Sequence, residues 1–227
     1  MKLAFNLHQD NASRSISVDI TTCIVAGWAG RDREAIEHHI EELAAIGVPR
    51  PSAVPLFYRV AANQLIQDRT VQVVGDGSSG EAEVFLFSAD GATCVSLASD
   101  HTDRELESHS VALSKQLCVK PVARDAWRFE DVSGHWDQLI LRSWIQENGK
   151  KVLYQEGPLS SLVNPQDLLK DHFGQDRMPA AAGMTCGTVG AIGGIRPSPG
   201  FEMELHDPVL SRSIKHEYIL DVLPEIA

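Results

Sequence analysis

Short apolar and alternating segments follow one another along most of the chain and predict a protein rich in β-strands. Residues 15–20 alternate polar with apolar side chains, and residues 22–28 form a more continuous apolar run. An alternating pattern is typical of a strand with one buried face, and a continuous apolar run is typical of a strand buried on both faces. On the same grounds we predict strands at residues 56–60, 70–74, 201–205 and 213–220.

Four other segments have apolar residues spaced three or four apart and predict helices. They cover residues 31–46, 103–116, 135–145 and 164–173. In the first, Ala35, Ile36 and Ile40 begin an apolar stripe, and Gly47 and Pro49 favour a stop. We interpret the third, which contains Trp136 and Trp144, as core or interface. Many strands with a few helices predict an α+β fold, and no linker divides residues 1–227 into more than one domain.

A predicted hairpin brings acidic residues together. Asp90-Gly91 lies between two apolar runs, and this pair is a strong signal for a two-residue turn. With that turn, residues whose numbers add to 181 face each other, so Glu81 faces Asp100 and Glu83 shares the face of Glu81. Adjacent like charges destabilise a sheet, and three hard oxygen ligands suit Mg²⁺, Mn²⁺ or Ca²⁺. A solvated acidic edge in another register is the alternative.

Composition limits the partners that the protein can have. The 227 residues include 20 Lys and Arg against 31 Asp and Glu, and the net charge of −11 argues against nucleic acid and anionic membranes as partners. The four cysteines form no CxxC pair and are expected to be free thiols. The N-terminal residues are too polar for a signal peptide, and no apolar run approaches the ~20 residues that span a bilayer. We therefore expect a cytoplasmic protein.

Several other side chains are candidates for chemistry. On the first helix, His39 is three residues before Glu42, which is close enough for a carboxylate to orient an imidazole, although His38 with Glu41 is geometrically equal. A solvated, charged helix face is the alternative for both pairs. Lys115 is a candidate cation near the acidic hairpin. Thr188 lies in a glycine-rich segment whose backbone N–H groups can approach an anion.

The order of these motifs resembles the fumarylacetoacetate hydrolase superfamily. Its Glu-x-Glu strand is similar to residues 81–83, and its Asn-Asp-x-Ser-x-Arg-Asp motif is similar to residues 99–105. Looser matches to its other motifs are Ser114-Lys115-Gln116 with Cys118 and Pro121, the turn at 187–190, the strand start at 199–201, and the early histidine segment 39–42 with residues 57–59. The chain departs from the family at Arg59, where lysine is usual, and at Val189, where proline is usual. The helix normally found between the second glutamate and the aspartate is also missing.

The resemblance implies a β-rich roll, a homodimer and a hydrolase that cleaves a C–C bond in an acylpyruvate-like 2-oxo acid. Glu81, Glu83 and Asp100 would bind Mg²⁺, Mn²⁺ or Ca²⁺. His39 with Glu42 would activate water and Lys115 would stabilise the enolate oxygen, while Arg59, Arg104 and Thr188 would bind the small anionic 2-oxo acid substrate. Two other functions stay open: a 2-oxo acid lyase (decarboxylase, hydratase or isomerase) at the same metal site, and a binding protein without catalysis.

Overall fold

The computed structural model describes residues 1–9, 12–45 and 50–226, except for the side chains at positions 39, 42, 43 and 45. The strands in these ranges are β1 (Lys2–Gln9), β2 (Ala12–Asp19), β3 (Thr22–Gly27), β4 (Leu56–Val60), β5 (Leu65–Ile66), β6 (Thr70–Val74), β7 (Ser78–Ser79), β8 (Ala82–Ala89), β9 (Ala92–Ser99), β10 (Thr102–Asp103), β11 (Lys120–Pro121), β12 (Asp125–Arg128), β13 (Ile140–Glu147), β14 (Lys150–Pro158), β15 (Ala182–Thr185), β16 (Gly200–Asp207) and β17 (Arg212–Leu223). The α-helices are α1 (Arg33–Ala45), α2 (Arg104–Glu107), α3 (Val111–Leu117), α4 (Glu130–Ser133) and α5 (Pro165–Phe173).

Two large sheets form the body of the molecule. The first has eight strands in the order β2-β1-β12-β9-β8-β15-β3-β4, with parallel and antiparallel pairs mixed. The second has five strands in the order β14-β13-β16-β17-β6. Two short pairs, β10 with β7 and β11 with β5, lie outside both sheets. Among the described residues no helix is long and apolar enough to cross a membrane.

The central strands β8, β9 and β15 of the eight-stranded sheet are buried on both faces. On β8, Val84 and Leu86 belong to a core cluster that includes Leu141 and Met203 of the five-stranded sheet. Phe85 on the opposite face of β8 packs in a second cluster with residues of β1. A strand covered on both sides is mainly apolar along its length, which explains the continuous apolar run from Val84 to Phe87 before the hairpin turn.

The hairpin has the predicted register. Asp90 and Gly91 both have positive φ angles, of 52° and 75°, as a two-residue turn of the I′ kind requires. Ala82 pairs with Ser99, and the Asp100 N–H donates to the Glu81 carbonyl oxygen at 2.9 Å. Glu81 and Asp100 therefore face each other at the open end of the hairpin, as expected.

The helix predictions had different outcomes. The helix expected at 103–116 is divided into α2 and α3, because the side chains of Asp103 and Ser110 each cap a new helix N-terminus. The helix expected at 135–145 is wrong: a short 3₁₀ turn at 136–138 is followed by strand β13. Alternate residues of β13 are buried, and pairing with β14 and β16 on its two sides outweighs the helical spacing of the apolar residues.

Candidate metal centre and cavity

Three carboxylates converge at the open end of the β8–β9 hairpin. One oxygen atom from each of Glu81, Glu83 and Asp100 lies within 4.8 Å of the other two, and we call this group the carboxylate cluster. Asp100 is fully buried and Glu83 is 3% exposed, while Glu81 is partly buried. Burying several carboxylates together requires compensating positive charge or protonation.

Three cationic side chains from outside the two hairpin strands compensate the cluster. Lys115 of α3 donates a hydrogen bond to Asp100 Oδ2. Lys120 of β11 is fully buried, with Nζ 3.1 Å from Asp100 Oδ1, and it also donates to the His101 carbonyl oxygen at 2.5 Å. Arg104 Nη2 lies 3.2 Å from Glu81 Oε1. The three cations therefore contact Asp100 and Glu81, and no cation among the described side chains contacts Glu83.

This arrangement gives the two buried carboxyl groups opposite protonation states. Burial, followed by the charge of Asp100, raises the pKa of Glu83 to about 8. Burial alone would also raise the pKa of Asp100, but the charges of Lys115 and Lys120 and the hydrogen bond from Lys115 outweigh it and lower that pKa. At neutral pH, without a metal ion, Glu83 is mainly protonated and Asp100 is ionised.

The donor set fits a divalent cation that prefers oxygen ligands. Asp100 Oδ1 is buried and, among the described residues, accepts no hydrogen bond, since Lys120 Nζ approaches it without hydrogen-bond geometry. A buried acceptor without a hydrogen-bond donor is unfavourable unless it binds a cation or accepts a hydrogen bond from a water molecule. Three carboxylates, joined by no nitrogen or sulfur ligand from the described side chains, suit Mg²⁺, Mn²⁺ or Ca²⁺. The cluster predicted from the sequence therefore has the geometry of a metal site.

Gly187 holds Glu83 in this cluster. Its N–H donates to Glu83 Oε2 at 3.0 Å, and its φ angle of 88° lies in the left-handed region that favours glycine. A Cβ at this position would lie 2.8 Å from the Ala29 Cβ atom. The glycine-rich segment thus supplies a backbone donor to Glu83, and both the φ angle and the lack of space for a Cβ favour glycine at this position.

A cavity of about 710 Å³ opens onto the carboxylate cluster, within the range usual for small-molecule sites. Lys115, Arg104 and Thr188 also line it. The Thr188 hydroxyl donates to the Ala82 carbonyl oxygen at 2.7 Å and accepts from Gln155 Nε2 at 2.7 Å. The structure thus brings six of the nine predicted site residues, namely Glu81, Glu83, Asp100, Arg104, Lys115 and Thr188, to one cavity.

The other three predicted residues are not among those placed at this cavity. Arg59 is exposed on β4, with Nη2 3.3 Å from the Thr22 hydroxyl, and it does not line the cavity. Its neighbour Tyr58 does, because successive strand residues point to opposite faces. The side chains of His39 and Glu42 lie outside the described part of the structure, so the predicted water-activating pair stays a prediction.

Sequence reasoning missed the residues behind the cluster. No local motif distinguishes Lys120 from other lysines, and its contact with Asp100 depends on the parallel pairing of β11 with β5. Tyr218 of β17 bonds through its hydroxyl to Ser99 Oγ and to His101 Nδ1, each at 2.9 Å. Burial and the charge of Lys120 lower the pKa of His101 to about 3, so this imidazole is neutral. No local spacing signals such contacts, because the partners are about 20 to 120 residues apart.

Solved structures with low sequence identity share the fold. The apo form of 2-keto-3-deoxy-D-arabinonate dehydratase aligns with a TM-score of 0.64 and 11% identity, over 96% of this chain and 79% of that one. The same enzyme complexed with magnesium and 2,5-dioxopentanoate aligns with a TM-score of 0.58 and 11% identity over the same shares. 4-Oxalocrotonate decarboxylase from Pseudomonas putida G7, complexed with calcium and acetate, aligns with a TM-score of 0.53 and 16% identity over 90% and 78%.

These likenesses confirm the predicted fold, a β-rich roll of the fumarylacetoacetate hydrolase type. No curated protein matches the chain at a significant level. A family model does match it, over residues 26–218, which include the cavity and the carboxylate cluster. The chain therefore belongs to the family described as "Protein of unknown function (DUF2848)".

Proposed function

We propose that the protein is a divalent-metal-dependent lyase of 2-oxo acids, from a branch of the fumarylacetoacetate hydrolase superfamily. The observation that carries this proposal is the carboxylate cluster with the buried Lys115 at a cavity of small-molecule size. A 2-oxo acid offers adjacent carboxylate and carbonyl oxygens, which suit a site with a hard cation and a nearby ammonium group.

Each part of the cluster has a role in this proposal. Glu81, Glu83 and Asp100 would hold Mg²⁺ or a similar ion, which supplies Lewis-acid stabilisation of negative charge on the substrate's 2-oxo oxygen. Burial lowers the pKa of Lys115, but the charges of Asp100 and Glu81 raise it by more, so this ammonium group stays charged. Lys115 Nζ would donate a hydrogen bond to the same substrate oxygen as charge develops there.

The identities of two structural neighbours support the lyase class. One is a dehydratase complexed with magnesium and 2,5-dioxopentanoate, and another is a decarboxylase complexed with calcium and acetate. Dehydration and decarboxylation both pass electrons from a broken bond toward the 2-oxo group and need no attacking water. The proposal therefore does not depend on a water-activating residue.

Hydrolysis of an acylpyruvate is the second candidate. It is favoured by one observation: Ala35 and Ile36 of α1 line the cavity, so the helix that carries His39 and Glu42 borders the site. In this version His39, oriented by Glu42, would activate water to attack a second carbonyl group.

The decisive experiment supplies the Mg²⁺-loaded or Mn²⁺-loaded protein with oxaloacetate and, separately, with acetylpyruvate in ¹⁸O-labelled water. A lyase releases pyruvate from oxaloacetate, and chelation stops the reaction. A hydrolase releases acetate carrying ¹⁸O from acetylpyruvate. If a panel of 2-oxo acids gives no metal-dependent turnover while metal binding is intact, the enzyme proposal is wrong. A binding protein without catalysis is then the favoured function.

Two adjacent histidines provide a matched control for the hydrolase version. If His39 activates water, His39→Ala loses acetate release and keeps metal binding, while His38→Ala remains active. If both variants release acetate normally, His39 with Glu42 does not act as the base. The same conclusion follows if the parent protein itself releases no acetate.

A further inference from the structure

The cavity continues from the carboxylate cluster along an apolar wall. Six residues form this wall: Gly27, Trp28, Ile36, Tyr58, Val111 and Ile195. The Tyr58 ring packs on Gly27, where a Cβ would lie 2.8 Å from Tyr58 Cε2, and Lys115 Nζ lies 5.7 Å from the centre of the same ring. Tyr58 therefore joins the apolar wall to the cluster.

The backbone of this wall contains an unusual conformation. Trp28 has a φ angle of 57°, in the left-handed region that bulky residues seldom adopt. Such conformations persist where the surrounding structure holds them, and they are concentrated at ligand sites. The observation is consistent with a wall that contacts a ligand.

The cations that line the cavity already have carboxylate partners. Among the described lining residues the cations are Arg104 and Lys115. Arg104 contacts Glu81 and donates to Glu107 and Ser79, and Lys115 contacts Asp100. Among the described residues Arg104 Nη2 has no hydrogen-bond acceptor, but it lies 3.2 Å from Glu81 Oε1. Both cations are therefore held at the carboxylate cluster, and neither is placed to neutralise a second carboxylate away from it.

The acidic residues at the cavity also oppose a second negative charge. Asp32 and Glu107 line the cavity in addition to the carboxylate cluster. Asp32 caps α1, because its Oδ1 accepts hydrogen bonds from the N–H groups of Glu34 at 3.0 Å and Ala35 at 3.1 Å. The first N–H groups of this helix are therefore occupied and do not offer an anion site.

We propose that the substrate is a 2-oxo acid whose remote end is uncharged and apolar. This inference rests on the proposed function, since the 2-oxo acid end is assigned to the carboxylate cluster. The remote group would lie against the apolar wall and gain from removal of its surface from water. A dicarboxylic 2-oxo acid would instead place an unpaired carboxylate against apolar side chains, in a cavity whose other charged lining residues, Asp32 and Glu107, are acidic, and this is unfavourable.

The test uses three ligands on the Mg²⁺-loaded protein in calorimetric titrations. Oxalate reports on the metal site alone, 2-oxohexanoate carries an apolar chain, and 2-oxoadipate has the same carbon count with a terminal carboxylate. We expect 2-oxohexanoate to bind at least about tenfold more tightly than 2-oxoadipate, the range that an unpaired polar group produces. If 2-oxoadipate binds as tightly or more tightly, the substrate inference is overturned.

The oxalate titration separates the two proposals. If oxalate fails to bind in a metal-dependent manner, the proposed function fails. If oxalate binds and the protein does not prefer 2-oxohexanoate to 2-oxoadipate, the inference about the remote group fails and the proposed function is unaffected.

A pair of substitutions on one loop tests the position of the remote group. Ile195 is 54% exposed and lines the cavity, whereas Ile192 is 49% exposed and does not. Ile195→Arg adds a cation to the apolar wall and should shift the affinity ratio toward 2-oxoadipate by about tenfold. Ile192→Arg should leave the ratio unchanged. An unchanged ratio in Ile195→Arg, or an equal shift in both variants, would contradict the placement against this wall.

Discussion

The two ends of the cavity are held in different ways. At the cluster end, Asp100 and Lys120 are fully buried, and hydrogen bonds and ion pairs connect them to residues of α3, β10 and β11. At the apolar wall, Ile195 is 54% exposed, and Ile36, Tyr58 and Val111 are partly exposed. A rigid, fully packed end suits the positioning of reacting atoms, and an open wall suits selection among substrates. Substitutions at the two ends should therefore have effects of different size and kind.

The largest contrast is expected in stability. Lys120→Met removes a buried cation from Asp100 and should lower the free energy of unfolding of the metal-free protein by about 3 kcal/mol. Ile195→Ala should lower it by less than about 0.5 kcal/mol, because the side chain is mostly exposed. Urea titration of both variants measures the difference. Equal stabilities would show that Lys120 does not compensate Asp100.

Turnover should respond to the lysine that faces the cavity. Lys115→Ala should reduce turnover of a 2-oxo acid by about 100-fold, since it removes a hydrogen-bond donor to the developing charge. Metal affinity should be retained or should increase, because a competing cation is removed from Asp100. Lys170→Ala, an exposed lysine on α5, is the matched control. Full activity in Lys115→Ala would show that this lysine pairs with Asp100 but does not contribute to turnover.

Metal affinity should rise with pH because of Glu83. With a pKa of about 8 in the metal-free protein, this carboxyl group must lose a proton to bind the ion. Affinity for Mg²⁺ should therefore increase about tenfold from pH 6 to pH 7 and level off above pH 8. Asp100 has a lowered pKa and adds no dependence in this range. Titrations at three pH values check this, and a constant affinity would mean that Glu83 is ionised without metal.

The smallest effect is expected at Arg59. It is exposed and does not line the cavity, so Arg59→Ala should change the affinity for 2-oxoadipate by less than about twofold. The ligand titrations above provide the measurement. A tenfold weaker affinity would restore the sequence-based assignment of Arg59 to a remote carboxylate.

The same contrast explains what the sequence could predict. The carboxylate cluster depends on one hairpin whose turn residues, Asp90 and Gly91, set the register over short range, so its facing pairs followed from the sequence. The helix at 135–145 failed because pairing of β13 with two other strands, which local spacing does not reveal, determines its structure. Lys120 and Gly187 likewise reach the cluster through distant strands, and the apolar wall combines segments from residue 27 to residue 195.

Binding of Mn²⁺ to the purified protein tests the central claim most directly. Calorimetry should detect one site, and Asp100→Asn and Glu81→Gln should each weaken it by at least about 100-fold. Asp32→Asn is the matched control, because it removes a cavity carboxylate outside the cluster and keeps the helix cap. The account predicts nearly unchanged affinity in this control. Equal affinities in all four proteins, or loss of binding only in Asp32→Asn, would contradict a metal site at Glu81, Glu83 and Asp100.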